Sequence, residues 1–198
     1  MSLTIENKII NKIKKAGRGS LFFTEDFVTF GNQKAVNKAL ERLVEKGEIK
    51  RVARGIYARP KTSNLVGELL PTNEEIAGAI AKRDKARIIP TGSYALNAIG
   101  LSTQIPMNAV FLTDGAARKI KIDNRTIIFK KTSPKNLATI GKISSLVIQA
   151  LKEIGKNNVK EWEINKILEV LKKEEKTRLQ HDIKLAPEWI RVIMKKAL

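Results

Sequence analysis

Apolar positions in residues 1–60 recur first at helical spacing and then at every second position. Ile5, Ile9, Ile10 and Ile13 make one helical stripe, with Lys8, Lys12, Lys14 and Lys15 on the other faces. Gly17-Arg18-Gly19-Ser20 breaks that helix. Phe22, Phe23, Phe27 and Val28 supply core residues. Thr24, with Glu25 and Asp26 behind it, predicts the cap of a short second helix. Val36, Ala39, Leu40, Leu43 and Val44 then form the apolar stripe of a third helix, with Asn32 as its N-cap and Gly47 at the left-handed position after its end. At about 100° per residue, Lys34, Lys38, Glu41 and Glu45 face away from that stripe, and Asn37 and Arg42 flank them.

Past Gly47 the period shortens to two. Ile49, Arg51 and Ala53 alternate with Lys50, Val52 and Arg54. Gly55 then turns the chain into Ile56-Tyr57-Ala58-Arg59. This ribbon holds Lys50, Arg51, Arg54 and Arg59 around Tyr57, with no acid. Three helices followed by a basic ribbon is the element order of a winged helix-turn-helix domain over residues 1–60. The third helix is amide and cationic in its N-terminal half (Gln33, Lys34, Asn37, Lys38) and carries its carboxylates in the other. A helix lying flat in a groove would press Glu41 and Glu45 toward phosphates; entry by the N-terminal tip avoids that and presents the positive end of the dipole. Gln33 and Asn37 suit bidentate contact to adenine, and Lys34, Lys38 and Arg42 suit guanine or phosphate. Arg51, Arg54 and Arg18 are candidates for backbone contact, with Tyr57 among the ribbon cations. The competing reading is a solvated helix face beside an edge hairpin whose lysines and arginines block aggregation.

Pro60-Lys61-Thr62-Ser63-Asn64 is a polar run that predicts the boundary to a second domain, residues 61–198. There Pro71-Thr72-Asn73-Glu74-Glu75 opens a helix, and Arg87-Ile88-Ile89-Pro90 reads as a strand. Thr91-Gly92-Ser93 starts a helix stopped by Gly100, and Asn108–Thr113 is a strand. Lys119–Ile122 and Thr126–Lys130 form a hairpin about Asp123-Asn124. From Leu137 onward the pattern is helical, through Leu146, Val147, Ala150, Leu151 and Ile154, then Trp162 to Leu171, then a helix introduced by Pro187. Trp162 and Trp189 are read as core residues. The predicted class is therefore α+β: a winged helix-turn-helix domain followed by a mixed α/β domain with a helical C-terminus.

Charge narrows the function. The 198 residues carry a formal net charge of +18, with 13 cationic against 6 anionic residues in 1–60 and 25 against 14 in the remainder. An excess in both halves favours a polyanionic partner, above all nucleic acid, over the usual cytoplasmic enzyme. The chain has no cysteine, so it has no disulfide framework or thiolate metal site, which is compatible with a reducing cytosol. No apolar run is long enough for a membrane span and no signal peptide is evident, so a cytoplasmic protein without a membrane partner is expected. His181 is the only histidine, which excludes a histidine-rich metal site and a histidine-paired nucleophile; it is read as a solvated helix-surface residue.

An enzyme reading exists at Gly92-Ser93. A glycine-serine corner between strand and helix is how nucleotidyltransferases hold a phosphate. That chemistry also needs paired carboxylates for Mg²⁺, and Asp114 and Asp123 each stand alone in expected turns. The expectation is no enzyme, no catalytic or metal residues and no cofactor. RNA binding is a further alternative. It wants exposed aromatics, for which Tyr57 and Tyr94 are the obvious candidates.

The stretch AVNKALERLVEKGEIKRVARGIYARP resembles the winged-helix domain of AbiEi-like antitoxins, the antitoxin component of type IV toxin-antitoxin systems. PTGSYALNAIGLSTQIPMNAVFLTDG, residues 90–115, is similar to the start of that family's second domain. The resemblance implies a repressor that binds double-stranded DNA at its own promoter. It also implies that the repressor opposes a nucleotidyltransferase-like toxin encoded beside it, without requiring direct contact. A homodimer on the DNA is compatible with this reading.

Overall fold

The computed structural model describes residues 4–63, 67–104 and 106–198. The chain forms two compact units, one up to Ala79 and the other from Ile80 onward, so the division falls inside a helix. Helices and several small sheets alternate along both, which makes the fold α+β.

In the first unit, α1 (Ile5–Lys15) is capped by Thr4, whose Oγ1 accepts from the Asn7 amide at 3.2 Å, and buries Ile9 and Ile13. Strand β1 (Leu21–Phe23) follows, a strand that the run of apolar residues did not reveal because it lacks alternation. The expected short second helix is a 3₁₀ helix, Thr24–Phe30. Its cap is displaced by one residue from the Thr24 expectation: the Asp26 carboxylate reaches back to the Phe23 amide at 2.7 Å. The tighter turn brings Phe27 and Phe30 onto one side, 6.3 Å apart between ring centroids.

Helix α2 (Gln33–Glu45) begins where Asn32 Oδ1 accepts from the Ala35 amide at 2.9 Å. Its end is a Schellman motif. Gly47 (φ +70°) donates to the Val44 carbonyl and Glu48 to that of Leu43. The helix buries Val36, Ala39, Leu40 and Leu43 against Ile9, Ile13, Phe22, Phe27, Ile49 and Tyr57. Strands β2 (Lys50–Ala53) and β3 (Ile56–Ala58) form the predicted ribbon, with a two-residue Arg54-Gly55 turn in which Gly55 takes φ +72°. Strand β3 is central, paired with β1 on one side and β2 on the other. A two-stranded sheet follows, β4 (Lys61–Ser63) and β5 (Gly67–Leu69); Asn64 of the expected linker lies outside the described residues. Helix α3 (Asn73–Arg83) opens with a capping box, the Thr72 hydroxyl on the Glu75 amide and the Glu75 carboxylate on the Thr72 amide.

The second unit holds a four-stranded sheet and a helical layer. Strands β6 (Ile88–Thr91), β7 (Asn108–Thr113), β8 (Arg118–Ile122) and β9 (Arg125–Lys131) stand in the order β6-β7-β9-β8, and α4 (Ser93–Ala98) joins the first two. The β8–β9 hairpin turns at Asp123-Asn124 as expected. Strand β7 pairs with β9 in parallel, which no local pattern announces. Ala109, Phe111, Ile127 and Phe129 make the buried face of this sheet, with Tyr94 5.5 Å from Phe111 between centroids.

Helices α5 (Lys142–Ile154), α6 (Glu161–Leu171), α7 (Lys176–Leu185) and α8 (Glu188–Lys195) enclose Val147, Leu151, Ile167, Leu171, Ile183, Ile190 and Met194. The helical tail starts later than the periodicity predicts. A 3₁₀ turn occupies Pro134–Leu137, and α5 begins only after Gly141. There two carboxylates, one from α7 and one from the turn between α6 and α7, meet the free amides at its start. Asp182 accepts from the amides of Ile140 (2.9 Å) and Gly141 (2.8 Å) and from the Ser144 hydroxyl (2.5 Å). Glu174 accepts from the amides of Ile143 (2.7 Å) and Ser144 (3.1 Å). Negative charge at a helix N-terminus also meets the positive end of its dipole. Trp162 is 53 % exposed, against the core position expected for it, because α6 turns its Ile167–Leu171 stripe inward and leaves its first turn outside. No helix among the described residues is long and apolar enough to cross a membrane.

Candidate nucleic-acid interface

One flank of α2 and the ribbon of the first unit share a concavity of about 370 Å³. Gln33, Asn37 and Glu41, each one helical turn after the last, line it from the helix. Arg51, Arg54, Gly55 and Tyr57 line it from the ribbon, and Thr24 and Glu25 close it. The ribbon tip is held there, since the Thr24 amide donates to the Gly55 carbonyl at 3.1 Å. The N-terminal half of α2 and the Arg54-Gly55 turn therefore open toward the same side of this unit.

The predicted residues divide into four groups. Gln33, Asn37, Arg51 and Arg54 come together in the concavity, and Lys34 stands exposed on the outward face of the helix. Lys38 and Arg42 lie on the other flank, lining a separate depression with Thr4, Ile5 and Glu6 at the start of α1. Arg18 is remote from this site. It borders a third depression with Gly47, Glu48, Arg59 and Pro60, at the end of the sheet opposite the Arg54-Gly55 turn. The adjacent Gly19 amide donates to the Arg59 carbonyl, which anchors Arg18 at that far end. Tyr57 corrects the sequence expectation most sharply. It is 5 % exposed and packed in the core, because β3 is the central strand and all three of its residues are buried. Its ring is not an open surface for stacking. Arg59 is also occupied, donating to the carbonyls of Lys14 (3.0 Å) and Ala16 at the end of α1.

Among the described residues, Gln33, Lys34, Asn37, Lys38, Arg42, Arg51 and Arg54 have no side-chain hydrogen bond or ion pair within the protein. Lys50 differs, for it pairs with Glu68 at 2.5 Å. Four residues of the concavity were not singled out from the sequence as site residues: Thr24, Glu25, Glu41 and the turn glycine Gly55. Glu41 was legible in principle, since it continues the four-residue spacing of Gln33 and Asn37. Thr24 and Glu25 were not, because only the tertiary fold brings the 3₁₀ helix against the ribbon tip.

The other candidate chemistries sit in tied positions. Gly92 does cap α4, but a side chain there would stand 3.8 Å from the Glu153 carboxylate, a poor neighbour for a phosphate. Asp114 is bound by the Arg87 amide (2.7 Å) and guanidinium (2.9 Å), which hold its carboxyl below the usual carboxylate range. Burial pushes the Lys152 ammonium down. The His181 ring lies 2.8 Å from Asp182 on an otherwise exposed position. Ser144 and His181 both bond to Asp182 rather than to one another, so the imidazole does not reach the hydroxyl. No group of three or more potential metal ligands occurs among the described residues.

This is an α+β protein whose first unit gathers Gln33, Asn37, Arg51 and Arg54, without partners among the described residues, between a helix and a basic ribbon. The chain belongs to the family described as "Family of unknown function (DUF6088)", which it matches over residues 8–179. No curated protein matches the chain. Among solved structures it is similar to the crystal structure of the RV2827C protein from Mycobacterium tuberculosis, with 11 % sequence identity and a TM-score of 0.49. That similarity covers 100 % of this chain and 83 % of the other.

Proposed function

We propose that the first unit is a winged helix-turn-helix and that the protein is a sequence-specific, non-enzymatic regulator of transcription. In this reading the N-terminal half of α2 enters the major groove and the Arg54-Gly55 turn is the wing, lying along the phosphate backbone. One observation carries the proposal: Gln33 and Asn37 on the helix and Arg51 and Arg54 on the ribbon line one concavity, and none has a partner among the described residues. Polar groups that the fold leaves unused, amides on one wall and guanidiniums on the other, match a base edge beside a phosphate. The net charge of +18 adds long-range attraction to duplex. With Tyr57 in the core, the first unit lacks the open aromatic platform that single-stranded RNA would favour. Carried further on the resemblance to AbiEi-like antitoxins, the operator is the promoter of the protein's own operon, and the protein counters an adjacent nucleotidyltransferase-like toxin.

The test is titration of the full chain against its own upstream region and a scrambled duplex of equal length, at several salt concentrations. Preferential binding to the upstream region is expected. Arg54→Ala should weaken both duplexes equally and lower the salt slope by about one unit. Asn37→Ala should instead erode the preference. Equal affinity for both duplexes, or the same behaviour from both variants, would overturn the reading.

A further inference from the structure

Over β7, β9 and β8 the sheet of the second unit has one buried face and one face without buried residues; on that second side β6 is covered, since Ile89 is buried and the Thr91 hydroxyl donates to Gln149 of α5 at 3.3 Å. Register places Asn108, Val110 and Leu112 of β7, Thr126, Ile128 and Lys130 of β9, and Lys119 and Lys121 of β8 on the same side, opposite Phe111 and Phe129. None of these residues is buried. No acid stands among them, and the three lysines are exposed without an ion pair among the described residues. Lys121 is paired with Thr126 and Lys119 with Ile128, while Lys130 lies two residues further along β9. The lysines therefore advance along the strand direction in two steps of about 7 Å each, a linear cationic track across two neighbouring strands.

We propose that this open face is a second surface for the phosphate backbone of duplex DNA, independent of base sequence. Charge complementarity selects the occupant. A second copy of the same face would set lysines against lysines. The apolar residues Val110, Leu112 and Ile128 are half-buried already and are bordered on the β8 side and at Lys130 by cations, unlike a protein-docking core. No aromatic side chain stands on it, so it offers no stacking platform for unpaired bases. What remains is a row of ammonium groups on a rigid sheet, the arrangement that suits a line of phosphates. The inference builds on the proposal that the protein binds duplex, and it adds affinity without selectivity. It gives a use to three of the cations beyond residue 60, where 25 stand against 14 anions.

The test compares the full chain with the triple variant Lys119→Gln, Lys121→Gln, Lys130→Gln, and with Lys→Arg at the same positions. Each is titrated against the upstream duplex, the scrambled duplex and a single-stranded RNA of equal length across salt concentrations, with thermal melts confirming equal folding. The glutamine variant should make the plot of log affinity against log salt shallower by about 2–3 units on both duplexes. It should leave the upstream-to-scrambled ratio unchanged, and the arginine variant should restore the slope. A slope within half a unit of the parent's, while Arg54→Ala still lowers it, overturns the sheet-face proposal and spares the helix-ribbon reading. A shallower slope in the glutamine variant of a protein that shows no preference for its upstream region does the reverse. Selective loss of RNA binding alone would overturn the assignment to duplex.

Discussion

The concavity of the first unit and the N-terminus of α5 in the second handle polar groups in opposite ways. At α5, Asp182 is completely buried and, with Glu174, accepts from four backbone amides and one hydroxyl. Every one of those bonds satisfies a group that the fold itself would leave stranded. Between α2 and the ribbon, Gln33, Asn37, Glu41, Arg51 and Arg54 surround an open space and satisfy nothing. The contrast separates structure from function. A polar side chain consumed by a helix end stabilises the fold, whereas one held in place by packing but left without a partner is available to a ligand.

The comparison is broken most forcefully at the α5 end. Asp182→Ala leaves the Ile140 amide and the buried Gly141 amide and Ser144 hydroxyl without their acceptor, and a loss of about 3–5 kcal/mol is expected in chemical denaturation. The affinity of the folded fraction for DNA should not change; a variant that melts like the parent would show that these bonds carry no stability. Gly141→Ala attacks the same cap sterically, because a Cβ there would stand within 2.6 Å of the Glu174 carboxylate. We expect about 1–3 kcal/mol of destabilisation on the same assay.

On the other side, Asn37→Ala should leave stability unchanged and cost on the order of 1–3 kcal/mol of discrimination at one base pair, read from a panel of single-substitution operators. Glu41→Gln sharpens the point by its sign. On the proposed reading, removing this carboxylate from the concavity should tighten binding to any duplex by less than about 1 kcal/mol, while narrowing the gap between operator and scrambled sequence if Glu41 accepts from an exocyclic amine. Weaker binding to scrambled duplex would contradict both effects.

The smallest effect concerns acid. Partial burial alone would raise the Asp84 carboxyl, but hydrogen bonds and charges from Arg118 and Arg83 outweigh it and hold the group below the usual range. A lowered folded-state value means that the stabilisation is present above the unfolded value and lost as pH falls through the folded one. The difference in melting temperature between parent and Asp84→Asn should therefore be steady near neutrality and shrink below about pH 4. A difference that grows in acid would reverse the assignment.

Much of this was legible in the chain. Local signals act over four residues or fewer: Asn32 at the start of α2, Gly47 at its end, the Arg54-Gly55 turn, and the capping pair Thr72 and Glu75. Because each depends on neighbours along the backbone, the sequence alone determined where these elements begin and stop. It also showed that amides and cations cluster at one end of one helix. Tertiary packing decided the rest. That β3 became a central strand buried Tyr57, that β1 and the 3₁₀ helix closed the concavity with Thr24 and Glu25, and that Arg18 ended at the far end of the sheet all depend on which strand pairs with which. The same holds for the parallel pairing of β7 with β9, and for Asp182 and Glu174 reaching α5 from 30 to 42 positions away in the chain. Contacts between distant segments are set by the mutual burial of whole faces, and period and propensity describe one face at a time without naming the face it will meet.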